Sequence, residues 1–144
     1  MTETSDISLL IAVFGFHNGK KIEGRTRIQK EICLLKFKAK IPFTFNYKSY
    51  YYGPYSEELS ETINTLVGVK LLKETAISVG YNSYRYDYSL TEQGEILFKK
   101  ICQNADPIID KLQKEANYIE EIETPRLVLL AKAESGLDSI CSSK

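Results

Sequence analysis

Three alternating tyrosines, Tyr84, Tyr86 and Tyr88, constrain the fold of this 144-residue chain more than any other feature. Polar residues stand between them, and this two-residue period is typical of a β-strand with one buried face. Residues 71–77 form a second extended stretch, and residues 79–82 supply the turn that joins the two. The pattern predicts an antiparallel β-hairpin.

Helices are predicted on both sides of this hairpin. Ser56, Thr91, Asp106 and Thr124 stand where a capping side chain accepts a bond from a free backbone N–H, and Thr26 begins a capping-box sequence. Residues 43–52, between the second and third helices, are rich in aromatic side chains and are predicted to be extended. The predicted helices cover residues 7–16, 26–38, 57–67, 92–103, 107–122 and 125–135.

This order of elements predicts an α+β, mostly helical protein with a winged helix-turn-helix domain. The second and third helices would form the helix-turn-helix, and the hairpin would form the wing. The domain is expected over residues 1–103. Residues 104–144 are expected to form a helical extension with a frayed end.

An apolar seam in the extension predicts a homodimer. Ile109, Leu112, Ala116 and Ile119 recur at coiled-coil spacing, so two subunits are expected to pair through them. The first helix, over residues 7–16, is apolar on nearly all sides. Either the extension or a second subunit must therefore cover the side that the domain core leaves open.

Three stretches of the chain carry a family resemblance: Gly24-Arg25-Thr26-Arg27-Ile28-Gln29-Lys30, Tyr52-Gly53-Pro54-Tyr55-Ser56-Glu57-Glu58-Leu59 and Tyr88-Ser89-Leu90-Thr91-Glu92-Gln93-Gly94. Through them, residues 24–97 resemble a group of archaeal and bacterial transcription regulators with a winged-helix fold. The third stretch is also similar to the end of the wing in PadR-like and MarR-like regulators. The resemblance implies the fold, a regulatory function on DNA and dimerisation through a C-terminal helix.

The charge of the chain is zero overall but uneven along the sequence. Residues 17–40 carry eight cations against two anions, whereas residues 105–144 carry five cations against eight anions. Such a basic segment favours contact with DNA phosphates. The alternative is an ordinary solvated helix face in which Arg27 pairs with Glu31. The predicted phosphate contacts are Lys20, Lys21, Arg25, Arg27 and Lys30.

The third helix departs from what DNA binding requires. It carries Glu57, Glu58 and Glu61 and no Lys or Arg, so phosphates would be repelled at close range. Polar side chains on this helix and on the wing remain candidates for base or groove contacts. They are Thr62, Asn64 and Thr65 on the helix, and Tyr81, Asn82 and Arg85 on the wing.

Two functions follow from these patterns. The first is a dimeric DNA-binding transcriptional regulator that contacts the duplex through the basic segment, the wing and the third helix. The alternative is a winged-helix module for protein–protein interaction, in which the acidic third helix binds a basic partner. The tyrosines from Tyr47 to Tyr55 are interpreted as core, with a stacking platform for single-stranded nucleic acid as the alternative.

No enzymatic activity is expected. The three cysteines and the single histidine show no metal-ligand spacing, and no phosphate loop or nucleophile elbow is present, so neither a metal nor a cofactor is predicted. No apolar run approaches the length of a membrane span. A cytoplasmic protein without membrane contact is expected, and its Ile, Lys, Glu and Tyr content leans towards that of thermophiles.

Overall fold

The computed structural model describes residues 5–51 and 53–137. Within them the protein is α+β and mostly helical, which confirms the predicted class, and it contains six helices and two small antiparallel sheets. Residues 138–144, where a frayed end is predicted, lie outside the described residues. The elements are α1 Asp6–Phe16, β1 Lys21–Glu23, α2 Arg25–Phe37, β2 Lys48–Tyr50, β3 Gly53–Tyr55, α3 Glu57–Gly68, β4 Leu72–Gly80, β5 Ser83–Leu90, α4 Glu92–Gln103, α5 Pro107–Glu120 and α6 Thr124–Ser135.

Side-chain oxygens cap four of the helices. Each one satisfies a backbone donor that the first turn leaves free. The predicted caps at Ser56, Thr91 and Asp106 are confirmed. The predicted cap at Thr124 is wrong, because Thr124 is the first residue of α6 and Glu123 occupies the N-cap position. The bonds run from Ser8 N to Ser5 Oγ at 3.2 Å, from Leu59 N to Ser56 Oγ at 3.1 Å, from Gly94 N to Thr91 Oγ1 at 3.1 Å and from Ile108 N to Asp106 Oδ1 at 2.9 Å.

Helix α2 begins differently from its prediction. Gly24 occupies the N-cap position with a φ of 93°, and no side chain caps the helix. The backbone N–H of Gly24 donates to the oxygen of Tyr86 at 3.1 Å. The chain therefore passes from strand pairing straight into the helix through a conformation that favours glycine. Thr26 consequently lies inside the first turn.

The predicted hairpin is confirmed as β4 and β5, paired from Leu72–Leu90 to Gly80–Ser83. Strand β1, which the sequence did not indicate, pairs with the other side of β5 and gives the order β1-β5-β4. Of the three alternating tyrosines, Tyr88 is buried, but Tyr84 and Tyr86 are 60% and 44% exposed. Only the base of the hairpin therefore has the predicted buried face.

Helix α1 lies in the middle of the core. All of its residues from Leu9 to Gly15 are buried, and α4 and α5 both pack against it. The extension therefore covers the open side of this apolar helix, which was one of the two predicted possibilities. Helix α6 packs along α2 in turn and buries Leu127 and Ala131 completely.

The predicted dimer seam needs correction. Ile109, Leu112, Ala116 and Ile119 are each at most 5% exposed, because they are buried within the chain. An apolar stripe is stabilised by burial whether its cover is a second subunit or the same chain, so spacing alone does not distinguish the two. The helices after residue 103 complete the core of the preceding residues, and a homodimer would need a different surface.

We expect Gly94→Ala to destabilise the protein by about 1–3 kcal/mol. A Cβ at Gly94 in α4 would overlap the backbone oxygen of Leu71 and crowd Leu90, and the backbone can give way little. Gly68→Ala is the matched control, since a Cβ there meets nothing and the change removes a helical glycine. Urea denaturation measures both, and equal stability of the two variants would contradict the described packing.

Candidate interaction surfaces

An open cleft of about 760 Å³ lies where the hairpin, the start of α2 and the connection between α5 and α6 meet. It contains most of the cations that the sequence predicts for phosphate contact. Carboxylates share the cleft with them, so its charge is largely balanced within the chain. The charged lining residues include Lys21, Arg25, Arg27 and Arg85, with Glu23 and Glu120.

Arg27 joins α2 to the α5–α6 connection. Its Nε donates to Glu31 Oε2 at 2.7 Å and its Nη1 to Thr124 Oγ1 at 3.1 Å. Its Nη2 donates to the backbone oxygens of Ile119 and Glu120 at 3.0 and 3.1 Å. The Arg27 side chain is 12% exposed and that of Glu31 is 1% exposed. This corrects the predicted phosphate contact, because the guanidinium is already bound inside the fold.

His17 lies between two carboxylates at the end of α1. Its Nε2 is 3.0 Å from Glu31 Oε1, and its Nδ1 is 3.4 Å from Glu120 Oε2. Glu120 is itself fixed by the backbone N–H groups of Asn18 and Gly19, at 2.9 and 3.4 Å. The imidazole of His17 therefore lies between the carboxylates of Glu31 and Glu120.

Lys30 is buried, with 2% exposure. Its ammonium donates to the backbone oxygen of Pro54 at 2.9 Å, and it forms no ion pair with the described carboxylates. Burial lowers the pKa of Lys30 from 10.5 to about 8. This corrects a second predicted contact with DNA, because the phosphates of a duplex cannot reach an ammonium below the protein surface. The reason is that β3 packs against α2 and covers this part of its surface.

Lys20 and Lys21 are exposed but also engaged. The Nζ of Lys20 donates to the backbone oxygen of Gly15 at 3.0 Å. The Nζ of Lys21 lies 3.5 Å from Glu23 Oε2 and 3.9 Å from Asp87 Oδ2. Neither lysine therefore stands as an isolated cation on the surface.

Arg25 connects α2, α3 and β5. Its Nε donates to the hydroxyl of Tyr88 at 2.6 Å, and the guanidinium lies over that ring at 5.0 Å from its centre. Its two terminal nitrogens donate to Ser60 Oγ at 2.8 Å and Asn64 Oδ1 at 2.5 Å. Asn64, which the sequence predicted as a base contact, is thus an acceptor for Arg25.

The β4–β5 hairpin has no free cation near its tip within the described residues. Arg85 donates from Nε and Nη2 to the two carboxylate oxygens of Asp87, at 2.7 and 2.9 Å, and lies 3.8 Å from Glu23. The Arg85 guanidinium holds the pKa of Asp87 below its ordinary value. Tyr81 is 94% exposed, and Asn82 beside it has a φ of 55° in the turn. Of the three predicted wing contacts, Arg85 is the one already paired.

The hydroxyls of α3 turn back onto their own helix. Thr62 Oγ1 donates to the backbone oxygen of Glu58 at 2.8 Å, and Thr65 Oγ1 donates to that of Glu61 at 3.1 Å. Such bonds are common for threonine in a helix and occupy the donor that would recognise a base. The exposed face of α3 is left with its carboxylates as the main charged groups.

A groove of about 530 Å³ lies between the start of α1 and α3, and we call it the acidic groove. Asp6, Glu58 and Glu61 line it, and none of them forms an ion pair within the described residues. Asp6 accepts a bond from Thr44 N and Glu58 accepts one from Asn46 N. Sequence reasoning missed Asp6, because only folding brings the N-terminus of α1 next to α3.

A smaller pocket of about 270 Å³, the tyrosine pocket, lies between α2 and the β2–β3 hairpin. Tyr50, Tyr51 and Tyr55 line it together with cationic residues that include Lys30. Tyr51 is 68% exposed, whereas the hydroxyl of Tyr47 is buried away from the pocket and has no hydrogen-bond partner among the described residues. The tyrosine cluster therefore divides into Tyr47, which lies in the core, and the three tyrosines that line the pocket. Residue 52 lies outside the described residues.

The described residues show neither a metal centre nor a membrane span. They contain no group of three or more His, Cys, Asp or Glu side chains suited to hold a metal ion. None of their helices combines the length and the apolar character that crossing a bilayer requires.

Comparison with known proteins identifies one partial relative. No family model matches the chain. A stretch of 79 residues is 40% identical to the uncharacterized protein YwgA of Bacillus subtilis strain 168. The stretch covers 55% of this chain and 46% of YwgA, so the chain spans about half the length of this relative.

We expect Arg27→Met to lower the free energy of unfolding by about 3–5 kcal/mol. Methionine retains most of the packing volume but leaves Glu31 buried without its cationic partner. Lys21→Met is the control, because its ion pairs are half exposed and worth at most about 1 kcal/mol. Thermal and urea denaturation measure the difference, and a loss for Arg27→Met no larger than the control would show that Arg27 is not held as described.

The lowered pKa of Lys30 predicts a pH dependence of stability. Between about pH 8 and pH 10.5 the unfolded chain holds a proton on Lys30 that the folded chain has released, so stability should rise with pH. The free energy of unfolding of the wild type, minus that of Lys30→Met, should increase by up to about 3 kcal/mol across this interval. Urea denaturation at several pH values tests this, and a flat difference would contradict burial of the ammonium.

Proposed function

We propose that this protein is a winged-helix module for protein–protein interaction whose helix α3 binds a positively charged partner. The order of helices and hairpin supports the winged-helix assignment, with α2 and α3 as the helix-turn-helix and β4–β5 as the wing. The pairing of β1 with β5 also supports it, because it attaches the wing to the start of α2.

The observation that carries the proposal is the unpaired negative charge on and beside α3. Glu57, Glu58 and Glu61 are exposed on this helix, which has no Lys or Arg, and Asp6 adds a fourth carboxylate. Because none of these groups has a cationic partner among the described residues, their potential extends into solvent. Such a surface attracts Lys and Arg side chains and accelerates encounter with them.

The same charges disfavour the other hypothesis, a dimeric regulator of transcription on duplex DNA. Much of the affinity for DNA comes from cations that displace counterions from the phosphates. Here Arg27 and Lys30 are buried, and Arg25, Lys21 and Arg85 are bound to groups of the chain itself. The cations that the sequence predicted for phosphate contact are therefore largely engaged, and duplex DNA would meet a helix of like charge.

The wing adds apolar area that suits a protein partner. Val79, Tyr81, Tyr84 and Tyr86 are between 44% and 94% exposed. Tyrosine is enriched in protein interfaces because its ring offers a large contact area with little loss of side-chain entropy. A partner with basic residues flanked by apolar ones would match both α3 and the wing.

The proposal predicts that an arginine-rich peptide binds more tightly than duplex DNA. The double variant Glu58→Gln with Glu61→Gln should weaken peptide binding by about fivefold or more, because it removes two charges from the acidic groove. Fluorescence anisotropy with both ligands, from about 50 to about 200 mM salt, measures this, and peptide affinity should fall as salt rises.

The double variant Glu121→Gln with Glu134→Gln is the matched control. It removes the same charge from exposed positions outside the acidic groove and should bind the peptide like the wild type. Equal weakening by both pairs would mean that the peptide senses only net charge, against a site on α3. Tighter binding of DNA than of peptide would favour the transcriptional regulator.

A further inference from the structure

The tyrosine pocket is separate from the acidic groove and is not used by the function proposed above. We propose that it binds a nucleobase that carries a phosphate, either as a free nucleoside monophosphate or as one unpaired nucleotide of a single strand. Three independent properties of the pocket support this: its aromatic lining, its volume and the uncompensated cation in its wall.

The lining of the pocket suits a flat aromatic ligand. The rings of Tyr50 and Tyr55 are 4.8 Å apart and tilted by 42°, and Tyr51 presents a third ring that is 68% exposed. Every nucleobase has a π-face, so bases stack on tyrosine without needing a particular pattern of hydrogen bonds. A stacked base would also cover the solvent-exposed ring of Tyr51.

The volume of the pocket limits the size of its ligand. A space of 270 Å³ equals that of about nine water molecules at liquid density. This is enough for a base with its sugar, but not for several nucleotides. The pocket therefore admits one nucleotide at a time.

The charge of the pocket favours an anion. Lys30 is buried in its wall without a carboxylate partner among the described residues. A buried ammonium ion is costly unless an opposite charge is brought close to it, and a phosphate would do so. Burial lowers the pKa of Lys30, and an opposite charge beside the ammonium would favour its protonated form.

A free mononucleotide fits the surroundings better than a strand. Glu57 accepts a hydrogen bond from the hydroxyl of Tyr50 at 2.7 Å, which places a carboxylate at the side of the pocket. The phosphates of neighbouring nucleotides in a strand would be repelled by it, whereas a single phosphate can remain near Lys30.

Isothermal titration calorimetry of the full chain with adenosine monophosphate, adenosine, oligodeoxyadenylate and benzoate tests this inference. We expect the monophosphate to bind more tightly than adenosine or benzoate. Tyr51→Ala should weaken its binding about tenfold, by loss of stacking. Tyr81→Ala, which removes an exposed tyrosine of the wing, should leave it unchanged. Lys30→Met should abolish the preference for the monophosphate over adenosine.

Several outcomes would overturn the inference. No binding of any adenine compound would do so, as would benzoate binding as tightly as the monophosphate, or equal losses in Tyr51→Ala and Tyr81→Ala. If the oligonucleotide binds more tightly than the monophosphate and Tyr51→Ala weakens that binding, the ligand is a nucleotide of a single strand and not a free mononucleotide. Should Lys30→Met fail to fold, Tyr51→Ala still decides, because Tyr51 is exposed. We expect the Glu58→Gln, Glu61→Gln double variant to bind the monophosphate as tightly as the wild type. This result would show that the tyrosine pocket is a site separate from the acidic groove.

Discussion

The buried ion pair between Arg27 and Glu31 is the interaction on which the rest of the arrangement depends. Arg27 binds the connection between α5 and α6, and Glu31 contacts His17 at the end of α1. Buried charges cost several kcal/mol each unless hydrogen bonds and an opposite charge compensate them, and here both are present. One charged cluster thereby fixes α1, α2 and the two C-terminal helices to one another, so that α5 can cover α1 and α6 can pack along α2.

The bonds that these charged side chains form within the fold determine which charges remain free at the protein surface. Arg27 and Lys30 bind acceptors from other elements, and Arg25 and Arg85 are held by the hairpin and α3. The three cations between residues 25 and 30 are therefore not a free basic surface of the protein. The carboxylates on and beside α3 are surface charges without an ion-pair partner among the described residues, and they support the proposed contact with a basic protein partner.

The long connection between α2 and α3 contributes to both proposed sites. Its Asn46 donates to Glu58 in the acidic groove, and its Tyr50 donates to Glu57 beside the tyrosine pocket. The glutamates at the start of α3 thus have two roles, because each accepts a bond that holds the connection and each leaves its negative charge exposed. The fold places a charged surface and an aromatic one next to each other through the same short helix.

The sequence by itself determined the helices, most of their caps and the hairpin, because period and capping depend on residues only a few positions apart. It also located the acidic face of α3, whereas Tyr50, Tyr51 and Tyr55, interpreted from the sequence as core, are half-buried or exposed in the structure. Only the tertiary structure decided which surfaces are free. Lys30 meets Pro54, Arg27 meets Thr124, and the apolar stripe of α5 meets α1 of the same chain. These partners are distant in sequence, so no local pattern distinguishes a buried cation from an exposed one, or an intrachain contact from a dimer.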